Sequence, residues 1–249
     1  MKKRSYPKPP ILEALCEFQF VSSKPWDLTI PGLMYEKVKD RFPEKRNLRT
    51  INVEVRISSE AVEQKVEPTL PRTQFLSRDA NKVLQVAPDL LVVNWLRPYS
   101  SWEEFKPVIL DAFRKYDAVA SPEGFKRIGL RYINKIDFPS ARIELQEYLT
   151  FYPETPSELA DPIGSFFSRV EIPYTDSRDL LILTIGSTPA EQPDTASAIL
   201  SLDYVLAKPN GVDKAELESW LETAHTAVET AFEACVTEKS KALFGGRTT

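Results

Sequence analysis

Phe125-Lys-Arg-Ile-Gly-Leu-Arg-Tyr-Ile-Asn-Lys-Ile-Asp-Phe-Pro139 alternates over most of its length. Ile128, Leu130, Tyr132, Asn134, Ile136 and Phe138 share one phase of a two-residue period, and Arg127, Gly129, Arg131, Ile133, Lys135 and Asp137 share the other. A strand of this kind packs one face on a core and turns a basic face away from it. Asn134, in the packing phase, needs hydrogen-bond partners there, and Gly129 between two arginines leaves room for a close approach to the backbone.

The flanking chain supplies the elements this strand would join. Ile11 to Phe20 alternates strictly, with Leu12, Ala14, Cys16, Phe18 and Phe20 inward and Glu13, Glu17 and Gln19 on the opposite face. Thr29 and Pro31 open a short helix whose stripe is Met34, Tyr35, Val38 and Phe42, stopped by Pro43. Residues 51–58, Thr73 to Arg78 and Lys82 to Leu96 read as antiparallel strands, with Asn81 at a turn. Ser101 and Glu104 form a capping box ahead of a helix with Phe105, Ile109, Ala112, Phe113 and Tyr116 on one stripe. Residues 139–165, with Pro153, Pro156 and Pro162, read as an irregular connector that has room for a helical turn or two between Ile143 and Phe151.

Three further strands are predicted at Phe166 to Tyr174, Leu180 to Ile185 and Ala198 to Leu206, and a helix from Asp213 to about Leu243. Ser187 to Thr195 has no apolar anchor and reads as a mobile excursion. Consecutive strands with few crossover helices predict an α+β protein: a curved, mainly antiparallel sheet packed on helices, with a long C-terminal helix. The chain reads as a single domain over 1–249, divisible into sub-lobes 1–139 and 165–249 about the connector. Each half has strands closed by a helix, but no residue-level repeat marks a duplication.

Composition bounds the function. With 249 residues, 42% of them hydrophobic, the chain can bury a full core without staples. A net charge of −4, from 32 basic and 36 acidic residues, argues against a surface that wraps duplex nucleic acid. Two distant cysteines, Cys16 and Cys235, read as buried reduced thiols. No apolar run follows the basic residues 1–5, and none reaches the length of a membrane span, so a cytoplasmic location is expected.

Few catalytic sets are open to this chain. The one histidine, His225, lies on the flank of the long helix's stripe and reads as half-buried or exposed. Eight glycines form neither a dinucleotide-binding turn nor a phosphate-binding loop. No metal ligand set, cofactor or catalytic residue can be assigned. The best constellation is Arg127, Arg131 and Lys135, spaced so that neighbouring phosphates or carboxylates could be engaged over an open floor at Gly129. Glu17 and Asp203 are its acidic companions, Asp203 being placed to meet Arg131 or Arg169 across a sheet.

Pro9 to Phe20 together with Arg127-Ile-Gly-Leu-Arg-Tyr-Ile-Asn134 resembles a sporadically distributed, functionally uncharacterised prokaryotic family of about this length. The resemblance covers nearly the whole chain and implies a shared fold; it brings no mechanism. Its patchy distribution implies a mobile defence or toxin-antitoxin type operon. Two functions compete. One is a non-catalytic protein-interaction module, binding a protein partner or itself, with the long helix as an assembly element. The other is an enzyme or sensor acting on a phosphorylated small molecule or nucleic-acid end, with the three cations as an anion clamp and Glu13, Glu17 or Asp203 as metal or proton partners.

Overall fold

The computed structural model describes residues 6–22, 24–48, 51–57, 62–68, 72–156, 158–159, 164–174 and 177–246; for 51–57 and 62–68 it describes the backbone alone. The basic residues 1–5 and Pro162 of the connector lie outside the described residues. The first half runs β1 (Ile11–Val21), α1 (Ile30–Val38), β2 (Glu44–Leu48), β3 (Ile51–Ile57), β4 (Val62–Pro68), β5 (Arg72–Leu76), β6 (Lys82–Ala87), β7 (Leu90–Leu96) and α2 (Trp102–Ala120). The second runs β8 (Gly124–Phe138), the single turn α3 (Leu145–Tyr148), β9 (Phe167–Tyr174), β10 (Asp179–Thr188) and β11 (Ala196–Leu206). A 3-10 turn at Lys214–Glu216 then leads into α4 (Leu217–Cys235), and α5 (Glu238–Leu243) follows.

Nine strands make one open antiparallel sheet in the order β2-β5-β6-β7-β1-β8-β11-β10-β9, and β3 pairs with β4 in a separate hairpin. The architecture is the expected α+β one, with a long C-terminal helix. The sheet order also shows a repeat of topology that no residue pattern announces. In each half the first strand lies at the centre, the last strand returns beside it, and a long helix follows: β1, β7 and α2, then β8, β11 and α4.

One face of the sheet carries the helices. Ala14, Cys16, Phe18 and Phe20 of β1 and Ile128, Leu130, Tyr132 and Ile136 of β8 join the buried stripes of α1, α2 and α4 in a single apolar cluster. A register shift between Gln19 and Phe20 skips Lys126, and this bulge reverses the phase of β8 at its start. Phe125 therefore enters the core, its ring centroid 5.9 Å from that of Phe20 and 5.4 Å from that of Phe113. Asn134 is buried as its phase requires, and its Nδ2 donates to the Leu200 carbonyl of β11 at 3.2 Å. At the start of α2 the Ser101 hydroxyl accepts the Glu104 N–H, the serine half of the expected box.

A buried carboxylate ties α4 to the sheet. Asp179 on β10 is fully buried and accepts from Trp220 Nε1 of α4 at 3.0 Å, Tyr204 Oη of β11 at 3.2 Å and Arg178 Nη2 at 2.6 Å. Its charge is thereby paired and both oxygens have donors, the conditions under which a carboxylate can stay inside.

Two expectations need correction. The C-terminal helix does not run unbroken to Leu243: Val236 is extended and bridges Leu149, and Thr237 then caps α5 while its hydroxyl donates to the Glu147 carbonyl. A tertiary contact with the connector thus ends α4 where helical periodicity alone would have continued it. His225 is buried, not half-buried or exposed, because α2 lays Trp102 flat against it with ring centroids 4.3 Å apart. The 187–195 loop, read as a mobile excursion with no apolar anchor, makes polar contacts: Glu191 bonds Lys135, and the Asp194 carbonyl accepts the Ala141 N–H.

Asn134→Leu is expected to lower the unfolding free energy by about 0.5–1.5 kcal/mol, since it removes a side-chain hydrogen bond to the Leu200 carbonyl inside the core. Asp179→Ala should cost more, about 3–5 kcal/mol, because it leaves Trp220, Tyr204 and Arg178 facing a gap. Urea or thermal unfolding of the two variants tests both the sizes and their order.

Candidate functional site

The face opposite the helices carries the residues that the alternation assigned to a basic surface. It is built from Glu13, Leu15, Glu17 and Gln19 of β1, Arg127, Gly129, Arg131, Ile133 and Lys135 of β8, and Ser201, Asp203 and Val205 of β11, aligned by register. Its only buried apolar cluster among the described residues is small, made by Ala87, Leu90 and Val92 with Leu15 at its edge, and no helix residue joins it.

Two of the three expected cations are already matched. Arg127 Nη1 reaches Glu17 Oε1 at 2.9 Å, and its Nη2 reaches Asp203 Oδ2 at 3.0 Å. Lys135, buried on its stem, meets Glu191 at 2.5 Å and Asp137 at 3.4 Å. Arg131 differs. Its Nε donates to Ser201 Oγ at 2.7 Å, and among the described residues its terminal nitrogens have no ion-pair partner. Asp203 lies directly opposite Arg131 in the register but takes Arg127 as its partner, and Arg169 pairs within its own strand with Glu171.

Gly129 explains the choice of partner. The Arg127 side chain runs back over this residue, so that a Cβ there would lie 2.8 Å from Nη1 and 3.2 Å from Cζ. What approaches the open floor is the protein's own guanidinium. From that position it spans β1 and β11 and holds two carboxylates that would otherwise repel each other. Beside this bridge a chain of amides crosses the first half of the sheet. Gln74 donates to Gln85, Gln85 to Asn94 at 2.9 Å, and Asn94 to the Glu13 carboxylate at 2.5 Å.

Asp203 is the strained member. Burial pushes its carboxyl above the ordinary carboxylate value, and the neighbouring Arg127 and Arg131 pull it back only in part. Its Oδ1 is buried without a donor among the described residues. The two thiols offer no nucleophile: both are free and buried, burial raises Cys16 far above the usual thiol range, and burial pushes Cys235 up to about 11. No three His, Cys, Asp or Glu side chains among the described residues converge as metal ligands. No helix of the described residues is long and apolar enough to cross a membrane.

Sequence reasoning missed a second feature, a cleft of about 400 Å³ between the start of α2 and the middle of α4. Trp102 and His225 stack in its wall, Trp102 Nε1 donates to Glu222, and Lys106 bridges Glu222 and Glu218 at 2.6 and 3.1 Å. Its side chains come from helices that only the sheet brings side by side, so no local pattern marks it. No protein-family model and no curated protein matches this chain at a significant level.

The raised Asp203 carboxyl has a pH signature. Between the ordinary value of 3.8 and the higher value in the folded chain, the folded state holds the proton more firmly than the unfolded state. Stability contributed by this group is therefore lost as pH rises through that window, and Asp203→Asn removes the dependence. The melting midpoint of the protein relative to the variant should fall as pH is raised from about 4. A difference that stays flat with pH would show that the arginines hold the carboxylate fully ionised.

Proposed function

We propose that this protein is a non-catalytic interaction module that receives a protein partner on the open face of its sheet, around Arg131. The observation that carries the reading is the charge economy of that face. Arg127 and Lys135 are spent on Glu17, Asp203 and Glu191, which leaves Arg131 as the one cation of the expected three with its terminal nitrogens uncommitted among the described residues. An anion clamp for a phosphorylated ligand needs several cations converging on one anion, and here two of them are held by the protein's own carboxylates. A single planar guanidinium between half-exposed Leu15 and Ile133 suits a carboxylate or main-chain carbonyl of a partner that also covers the apolar neighbours.

The amide chain from Gln74 to Glu13 supports the same reading, because a face whose polar groups are held in fixed geometry loses little conformational entropy when covered. The reading assigns no role in the interaction to the long helix: Leu217, Trp220, Leu221, Ala224 and Val228 are committed to the core. Service in a defence or toxin-antitoxin operon, implied by the family resemblance, is a further part of the proposal.

Photo-crosslinking in the native host tests it, with the crosslinker placed at Ile133 on the open face and at Lys115 on α2 as a control. One protein is expected to crosslink at Ile133 and not at Lys115, and Arg131→Gln should weaken that crosslink while leaving the melting curve unchanged. A native preparation that instead carries a phosphorylated small molecule, retained by the protein and lost in Arg131→Gln, would favour the enzyme or sensor reading.

A further inference from the structure

The two outer strands of the sheet are protected to different degrees. β2, at one end, presents Glu44, Lys45 and Arg46 to solvent, the charged treatment that keeps an edge from pairing. β9, at the other end, bonds β10 on one side and no described strand on the other. It exposes Phe167 at 72%, Val170 at 43%, Tyr174 at 39% and Ile172 at 37%. Val170 and Ile172 share the phase of Tyr174, whose ring packs on Tyr204, so they stand on the helix-bearing face at its uncovered margin.

The direction of the backbone groups on β9 follows from one hydrogen bond. Ser187 N–H donates to the Phe166 carbonyl, which places Phe166 and every second residue after it in the pairs that bond inward to β10. The N–H and C=O groups of Phe167, Arg169 and Glu171 therefore point outward. Pro173, next in that series, has no N–H and closes the outward-bonding run.

This outward edge is complementary to itself. If a second copy approaches antiparallel about a two-fold axis through Val170, Arg169 of each chain lies opposite Glu171 of the other. Ser168 then faces Ile172, and Val170 faces its own copy on the axis. The pairs that exchange backbone hydrogen bonds are the Arg169 and Glu171 pairs, the residues whose groups point out. Moving the axis to Arg169 or to Glu171 keeps the backbone phase but sets like charges face to face, which disfavours both alternatives. In the single chain Arg169 and Glu171 are left to pair with each other, at 2.6 Å.

We propose that β9 is a self-association edge, through which two copies of this chain pair antiparallel about Val170 and join their nine-stranded sheets into one. The occupant is a second copy and not an unrelated strand, because the charge order on β9 matches its own reverse. The edge lies three strands away from Arg131, with Arg169 and Glu171 on the same face of the sheet, and the pairing does not depend on the reading of that face.

Sedimentation equilibrium of the full chain over micromolar concentrations tests the proposal. The unsubstituted protein should form a dimer. Arg169→Glu and Glu171→Arg should each weaken it at least about tenfold, since each turns both cross-strand pairs repulsive. Mixed in equal amounts, the two variants should associate, because the charges become complementary again between unlike chains. Glu171→Pro, which deletes an outward N–H and leaves the bonds to β10, should give a folded monomer with its melting transition retained. A protein that remains monomeric, single charge reversals that dimerise like the unsubstituted chain, or a mixture that stays monomeric would each overturn it.

Discussion

β1 and β8 lie against each other at the centre of the sheet, antiparallel over most of their length, and each then takes the last strand of its own half on its other side. Pairing these two strands joins parts of the chain that are far apart in sequence, so it carries a loop-closure cost that the hairpins of the sheet do not. The register of this one pair sets the rest. It puts Glu17 opposite Gly129 and Leu15 opposite Arg131, and it places Cys16, Phe18 and Leu130 together under the helices. A slip by one residue would send the apolar set to the open face and the charges into the core.

Polar groups inside this fold occur where two elements must meet in one way. Asp179 joins β10, β11 and α4 through Trp220 and Tyr204, and Asn134 ties β8 to β11 at a phase that leucine would also fill by size. Apolar packing alone would tolerate small shifts of α4 along the sheet, whereas three donors converging on one carboxylate do not. The open face uses polar groups differently. Arg127 spans β1 and β11 over Gly129, so the bridging guanidinium sits where Gly129 supplies no side chain to displace it.

Much of the fold was legible because local rules decided it. Strand phase follows from backbone pleat, and the alternation of residues 13–20 and 127–138 assigned their faces correctly, while register shifts at the two ends of the β1–β8 pair turn Phe125 inward and put Ile11, in place of the expected Leu12, against the core. Ser101 marked the start of α2 through its own hydroxyl. The candidate site was legible only as a set of residues. Arg127, Arg131, Lys135, Glu17 and Asp203 do share one surface, but their pairing differs from the expected one: Asp203 takes Arg127, and Lys135 takes Glu191 from a loop with no apolar anchor.

The sequence by itself determined which side chains each strand turns inward, the helical stripes, and the mixed charge that makes an open face rather than a second core. The tertiary structure alone decided which charges neutralise one another, where α4 stops, that His225 is covered by Trp102, and which strand is left at an edge. The physical reason is range. Periodicity and capping are set by atoms within a few residues, while ion pairing, burial and edge position depend on strand order and register between segments distant along the chain.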